Sequence, residues 1–333
     1  MLVLGIETSC DETAVSVVEN GRTVLSNVVS SSLRFHKQYG GIIPEIAFRK
    51  QLETITPVAE SALREAGVVL KDIGLISVTD SPGLLGSLVV GISFAKAVSI
   101  GTGIPLLGVD HLQSHILAGF LEEKKPQFPF TALVVSGGHT SLYYARDFDR
   151  FQLMGATKDD ACGEAFDKAA KILQQGYPGG PVIEQLSKKG NAGRIRFNCS
   201  NSKEPYNFSF SGIKTAVLYY VHKHAKKGVL SGQGGFVCDV AAAFQDAVID
   251  SLVTKSLAAC ASKKAKRLVI GGGVAANGRL RMEFARAGAD RGIEVFFPSR
   301  KYCTDNAAMV ACLGYYLYKK GHTSDLNLDI SFN

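Results

Sequence analysis

The chain has no C-x-x-C pair among its seven cysteines, so no zinc ribbon or finger can be built from them. Their number is odd and their positions are scattered: Cys10, Cys162, Cys199, Cys238, Cys260, Cys303 and Cys312. That is the usage of reduced thiols, and a 333-residue chain can bury a core without disulfide staples. It also lacks a P-loop, and no G-x-G-x-x-G turn is followed by an acid at dinucleotide spacing, which argues against a nicotinamide enzyme. No basic stretch precedes the apolar residues 1–6, and Glu7, Asp11 and Glu12 follow at once, unlike an export signal. Long uncharged runs are missing too. The most apolar region, 81–109, meets Lys96 after fifteen residues, short of the ~20 that a membrane span needs. A buried helix followed by a buried strand is expected there, in a cytoplasmic protein without membrane contact.

What is present is the composition of a folded α/β protein. Hydrophobic residues make up 46% and charged residues 20%, and the length suits roughly two domains of ~150 residues. Charge is uneven. Residues 1–130 carry 10 basic and 13 acidic side chains, whereas residues 131–333 carry 27 and 17. Basic clusters recur at Lys188, Lys189, Arg194 and Arg196, at Lys223, Lys226 and Lys227, and at Lys263, Lys264, Lys266 and Arg267. Any one of them reads as a solvated face; the asymmetry as a whole suits a polyanion such as RNA.

Periodicity predicts a three-stranded meander over 2–7, 13–18 and 24–29, with Asn20-Gly21 as the second turn. A helix over 48–63 follows, which Pro57 is expected to kink or divide, then a strand at 75–78, a helix at 84–99 and a strand at 105–109. The second half replays this order. Strands are predicted at 131–136, 140–145 and 151–154, helices at 163–173, 211–221 and 240–259, a strand at 268–270, and helices from Asn277 and over 305–318. A duplicated two-domain α/β fold with an interdomain cleft is the expectation. The first domain would comprise 1–128 plus 305–333 and the second 129–304.

Three glycine-rich segments, Gly137-Gly138, Gly179-Gly180 and Gly271 to Gly273, read as turns after strands, where bare backbone N–H groups can approach phosphate or carboxylate oxygens. His111 and His115 stand at i and i+4, one face of a helix, so both imidazoles could grip one metal ion. Leu112 occupies the place where a zinc protease needs its glutamate. On spacing alone, capping or chance explains the histidines as well as a metal does. Asp305, at a helix start, reads equally as an N-cap. Asp11 and Glu12 read equally as solvated turn acids, and Asp167 with Lys168 as an exposed pair.

Taken in order, the motifs resemble one family over nearly the whole chain. They are Gly5-Ile6-Glu7-Thr8-Ser9-Cys10-Asp11-Glu12-Thr13, His36-Lys37-Gln38-Tyr39-Gly40-Gly41, His111 with His115, and Ser136-Gly137-Gly138-His139-Thr140. Asp160-Ala161-Cys162-Gly163-Glu164 through Lys168, Tyr177-Pro178-Gly179-Gly180, Phe208 to Thr215, Gly271 to Asn277 and Thr304-Asp305-Asn306 follow. The pattern is similar to the bacterial TsaD family of tRNA threonylcarbamoyltransferases. The resemblance implies an actin/sugar-kinase/Hsp70-like fold. It also implies transfer of threonylcarbamoyl from threonylcarbamoyl-AMP to N6 of adenosine 37 in tRNAs reading A-starting codons (t6A formation), with release of AMP. It implies a divalent metal, iron before zinc, on His111, His115 and Asp305. Substrate contacts would come from Val134, Val135, Ser136, Gly137, Gly138, Asp167, Gly180, Glu184 and Asn277, and a catalytic acid from Asp11 or Glu12. A paralogous TsaB-like dimerisation partner and a small TsaE-like ATPase would assist.

Three positions depart from that pattern: Gln51 where histidine is common, Gln113 where the commoner run has glutamate, and Ser81 where glycine is usual. Three rival functions have their own marks. A sugar kinase or actin-like ATPase usually carries Asp-x-Gly where this chain has Glu7-Thr8-Ser9, a metalloprotease needs the missing glutamate, and for a scaffold the activity of a reconstituted system would be unchanged when His111 or Asp305 is replaced by alanine.

Overall fold

The computed structural model describes residues 1–199, 204–224 and 234–331. The chain divides into two compact units, residues 1–125 with 298–333 and residues 126–297. The first opens with β1 (Leu2–Glu7), β2 (Glu12–Glu19) and β3 (Thr23–Ser31), then α1 (Leu33–His36) and α2 (Pro44–Ala66). It continues through β4 (Ile73–Ser81), α3 (Leu85–Thr102), β5 (Leu106–Asp110) and α4 (His111–Leu117). The second holds β6 (Phe130–Val135), β7 (Thr140–Asp147), β8 (Arg150–Ala156), α5 (Cys162–Ile172), α6 (Gly179–Ser187) and α7 (Ser211–His224). It ends with α8 (Gly235–Lys263), β9 (Arg267–Gly271), α9 (Gly278–Ala289) and β10 (Glu294–Phe296), after which α10 (Ala307–Lys319) returns to the first unit.

Both units carry the same sheet. Its order is β3-β2-β1-β4-β5 in the first and β10-β9-β6-β7-β8 in the second. The three-stranded meander is antiparallel in each, and the two later strands add in parallel. Strand alternation explains the layers of the first unit. Leu4, Ile6, Val15, Val17, Ile76 and Val78 join α2 and α3 in one buried cluster, while Ser77 on the opposite phase of β4 donates to the Val310 carbonyl of α10. In a parallel array the carboxyl ends of neighbouring strands lie side by side. Here that edge carries Glu7, Ser81 and Asp110, the last residues of β1, β4 and β5.

Several expectations need correction. Pro57 does not divide α2, which runs unbroken from Pro44 to Ala66; the proline stands on the exposed face, as does Glu53, whose carbonyl loses its N–H partner. Gly179-Gly180 does not follow a strand. It opens α6, a helix that the periodicity does not show because glycine and proline at 178–181 read as a turn, and β10, three residues long, is too short to show a period. Asp305 is not the cap of α10: Asn306 takes that place, its side chain accepting from the Met309 N–H at 3.1 Å. The expected buried helix in 81–109 is α3, the one helix among the described residues long and apolar enough to cross a membrane, and Leu88, Val90, Ile92 and Ala95 on it belong to the core. Of the basic clusters, Lys226 and Lys227 lie outside the described residues.

Candidate active site

Helix α4 begins directly after β5, with Asp110 as its N-cap accepting from the Gln113 N–H at 2.7 Å. That cap fixes the first turn, and the 3.6-residue period then stacks His111 over His115, ring centroids 4.6 Å apart. Asp305 reaches them from the segment before α10. Its Oδ1 lies 3.6 Å from His111 Nε2 and 3.1 Å from His115 Nε2, and the ligand atoms of all three lie within 4.8 Å of one another. Donor atoms ~2.0–2.1 Å from a shared ion sit ~3–3.4 Å apart; the two Asp305 contacts are near that, and the widest spacing, 4.8 Å at most, would have to close on an ion. The donor set, two imidazoles and one carboxylate, suits iron or zinc and leaves coordination positions open. Both histidines are buried, and His115 Nδ1 is buried without a hydrogen bond.

Electrostatics around the histidines is strongly polarised. Glu7 is wholly buried; burial alone would raise its carboxyl, but His111 beside it holds it below its ordinary value. Burial would depress His111, but Glu7 and Asp305 outweigh that and push it up to about 9. Glu12 moves the other way. Burial, then Asp305 and Asp11, push it up to about 10. A proton or a cation is what such a carboxylate-rich pocket favours.

The turn that carries Asp11 and Glu12 is held from behind. Leu84 N–H donates to the Ser9 carbonyl at 2.8 Å, Ser87 Oγ to the Cys10 carbonyl at 3.2 Å, and Ser32 Oγ to the Asp11 carbonyl at 2.8 Å. Gln51, buried on α2, aims its amide at three carbonyls: Thr8 at 3.3 Å, Cys10 at 3.0 Å and Glu12 at 2.9 Å. The other two departures are structural. Ser81 is buried at the end of β4 and donates to Asp80 Oδ1, and Gln113 supplies only its backbone N–H to the Asp110 cap.

The remaining predicted residues lie in the second unit. Val134 and Val135 end β6, and the turn Ser136-Gly137-Gly138 closes through the Ser136 N–H donating to the His139 carbonyl at 2.8 Å. Gly137 and Gly138 are exposed and have open space where a Cβ would stand. Two glycines let other segments press on this turn. A Cβ at Gly163, in the first turn of α5, would lie 2.7 Å from the Ser136 carbonyl oxygen. Gly272 has φ +94 and backs onto the Val135 carbonyl, a conformation and a contact that both require glycine. Asp167 Oδ1 accepts from the Gly179 N–H at 2.6 Å, so it caps α6 rather than standing as an exposed partner of Lys168. Gly180 is open. Glu184 Oε1 accepts from the Gly278 N–H at 3.1 Å and pairs with Lys188 at 3.2 Å. Asn277 caps α9 through Oδ1 at 3.0 Å and donates to Gln245 Oε1 at 2.9 Å. These residues thus form two local groups, one around the Ser136 turn and one where α6 meets α9.

A family model described as TsaD, tRNA N6-adenosine threonylcarbamoyltransferase, matches residues 23–312. The chain belongs to the TsaD family. A relative of that name from Syntrophus aciditrophicus (strain SB) is 49% identical over 329 residues, 99% of this chain and 96% of its own. Another, from Thermodesulfovibrio yellowstonii, is 51% identical over 335 residues, 99% of this chain and 98% of its own. Among solved structures, HypF of T. kodakarensis superposes with a TM-score of 0.64 at 15% identity, covering 98% of this chain and 48% of that one. Component A of the (R)-2-hydroxyglutaryl-CoA dehydratase of Acidaminococcus fermentans gives 0.57 at 14%, covering 97% and 100%. At such identities the likeness is one of fold, the duplicated actin/sugar-kinase/Hsp70-like α/β architecture. Sequence reasoning missed two residues beside the cluster of His111, His115 and Asp305, namely Glu7 and Thr79. Glu7 stood in the opening motif but has no spacing relation to His111; only the pairing of β1 with β4 and of β4 with β5 brings them together.

Proposed function

We propose that the chain forms t6A by transferring threonylcarbamoyl from threonylcarbamoyl-AMP to N6 of adenosine 37 in tRNA. The N6 lone pair attacks the carbamoyl carbon, the bond from that carbon to the phosphate oxygen breaks, AMP leaves with the electron pair, and N6 gives up a proton. An amine conjugated to a purine is a weak nucleophile, so the reaction depends on activating the carbonyl and on holding both reactants in line. His111, His115 and Asp305 would hold Fe(2+) or, second, Zn(2+), which supplies a Lewis acid and a fixed positive charge.

The protein groups do the rest. The exposed Gly137-Gly138 backbone, in the turn that Ser136 closes and with Val134 and Val135 behind it, suits the charge that grows on the departing phosphate. Gly180, Asp167, Glu184 and the remaining amide hydrogen of Asn277 suit the hydroxyl-rich nucleoside and the threonyl portion. Asp11 or Glu12 accepts the N6 proton; Glu12, whose proton affinity is raised, is a strong base once it is ionised. The TsaB-like and TsaE-like partners and a cytoplasmic location complete the proposal.

The observation that carries it is the convergence of two imidazoles and a carboxylate from 190 residues away, beside a turn bearing two acids. The test is a reconstituted reaction with labelled threonylcarbamoyl-AMP, tRNA and the partners. His111→Ala and Asp305→Asn should each lower t6A formation by ~100-fold or more, measured by mass spectrometry of digested tRNA. Rates within twofold of the parent chain would refute the proposal.

A further inference from the structure

His111 has two ring nitrogens, and only one can face a metal. Nε2 lies toward Asp305, at 3.6 Å. Nδ1 lies 2.9 Å from Glu7 Oε2 and 3.2 Å from Ser9 Oγ. Glu7 is itself pinned. The same Oε2 accepts from Thr79 Oγ1 at 2.7 Å, and Oε1 accepts from the Ser9 backbone N–H. Its side chain has no exposure to solvent and sits at the last position of β1. A buried carboxylate with every contact directed at one ring and its immediate support is costly to keep for packing alone.

We propose that Glu7 is a positioning residue of the metal centre, holding His111 as the Nδ1–H tautomer so that the Nε2 lone pair faces Asp305. The inference rests on His111 being a ligand, as read under the proposed function. A carboxylate that accepts from the distal nitrogen of a ligating imidazole fixes both ring rotation and tautomer and strengthens the donor nitrogen. The centre is lopsided in this respect. His115 Nδ1 has no hydrogen-bond partner, so orientation by a second carboxylate falls to His111 alone. Thr79 Oγ1, by tying down Oε2, would act one step further out.

The experiment is metal titration of the full-length protein, with Fe(2+) under anaerobic conditions and with Zn(2+), against a competing chelator. Co(2+) substitution follows, read by its visible absorption. Glu7→Ala should weaken metal binding ~10–100-fold, the range typical for loss of such a partner. Glu7→Gln keeps an acceptor for Nδ1–H but not the charge, so it should fall between Glu7→Ala and the parent, and Thr79→Val should lose least. The Co(2+) bands should shift in Glu7→Ala and return toward the parent in Glu7→Gln, a rank order that a merely structural role does not produce. If Glu7→Ala fails to fold, Glu7→Gln decides. Metal affinity within twofold of the parent and unchanged Co(2+) bands in folded Glu7→Ala, or affinity equal to the parent's in Glu7→Gln where only that variant folds, overturns the proposal. Absence of binding by the parent protein itself would instead refute the metal centre, so the two failures are distinct.

Discussion

Gln51 shows what a single buried amide can do for a site it does not enter. Its Nε2 faces three backbone carbonyls of the turn 8–12, while its Oε1 is buried without a partner, so this side chain carries a desolvation cost on one atom and relieves one on three others. The NH2 group has two hydrogens, so one of them is shared between two carbonyls, and because the amide oxygen cannot donate to a carbonyl the orientation is fixed. Gln51→Leu removes the amide from all three carbonyls, of which Cys10 keeps Ser87 Oγ, and should cost roughly 1–3 kcal/mol in urea unfolding, with t6A formation falling further than stability because the acids are held less firmly. Gln51→His, the residue that the family resemblance leads one to expect there, retains a ring donor and should cost less than Gln51→Leu. Glu12 gives a second prediction at this scale. Its folded carboxyl titrates at about 10, against ~4.3 in an unfolded chain, so above ~4.3 the unfolded state releases a proton that the folded state keeps. Stability of the metal-free protein is therefore eroded progressively from pH ~4.3 upward to about 10. Glu12→Gln, which cannot ionise, should stabilise the metal-free protein at pH 8 and change little at pH 4, as melting curves at the two values would show.

At the scale of elements, caps matter more than propensities in placing the functional segments. Asn306 rather than Asp305 caps α10, which leaves the carboxylate for the histidines, and Asn277 and Asp167 serve the starts of α9 and α6. Helix α7 is capped from a distance. Asp159 Oδ1 accepts from the Phe210 and Ser211 N–H groups at 2.7 and 3.1 Å, and Oδ2 accepts from the Ser209 and Ser211 hydroxyls at 2.6 and 2.7 Å. Burial would raise this carboxyl, but those four hydrogen bonds hold it below its ordinary value. Its contribution is complete above the unfolded value of ~3.9 and is lost as pH falls through the lower folded value. Asp159→Ala should lose ~1 kcal/mol at pH 7, in line with other cap deletions, and the gap from the parent should close in acid once both states are protonated. The same contrast separates what was readable in the residues from what was not. The i, i+4 histidine pair is local and was legible. The capping of α7 by Asp159, like the support of His111 by Glu7, joins positions 52 and 104 residues apart, which no period encodes. Asp305 stood in the sequence as an acid at a helix start, and its place beside the histidines came from the family resemblance.

Over the whole molecule, the duplication was legible because each half repeats a meander whose alternation survives without any residue identity. Polarity does not repeat. By sequence count, the second unit (126–297) has 23 basic and 14 acidic side chains, and the first has 14 and 16. If the basic clusters are merely solvated, tRNA affinity will respond weakly to salt. If they meet phosphates, each contact releases counterions, and log K falls against log salt with a slope of roughly −0.7 to −0.9 per contact. About four such contacts would give a slope near −3, with most of the affinity lost between 50 and 200 mM salt. Lys189 and Lys266 are both exposed and come from two different clusters. Replacing each by alanine should make the slope shallower by ~1 per residue and weaken all tRNAs alike, because a phosphate carries no sequence. Fluorescence anisotropy with the partner-bound protein over a salt series measures it. An unchanged slope in both variants would assign those lysines to solvent and move the search for the tRNA path to other faces of the chain.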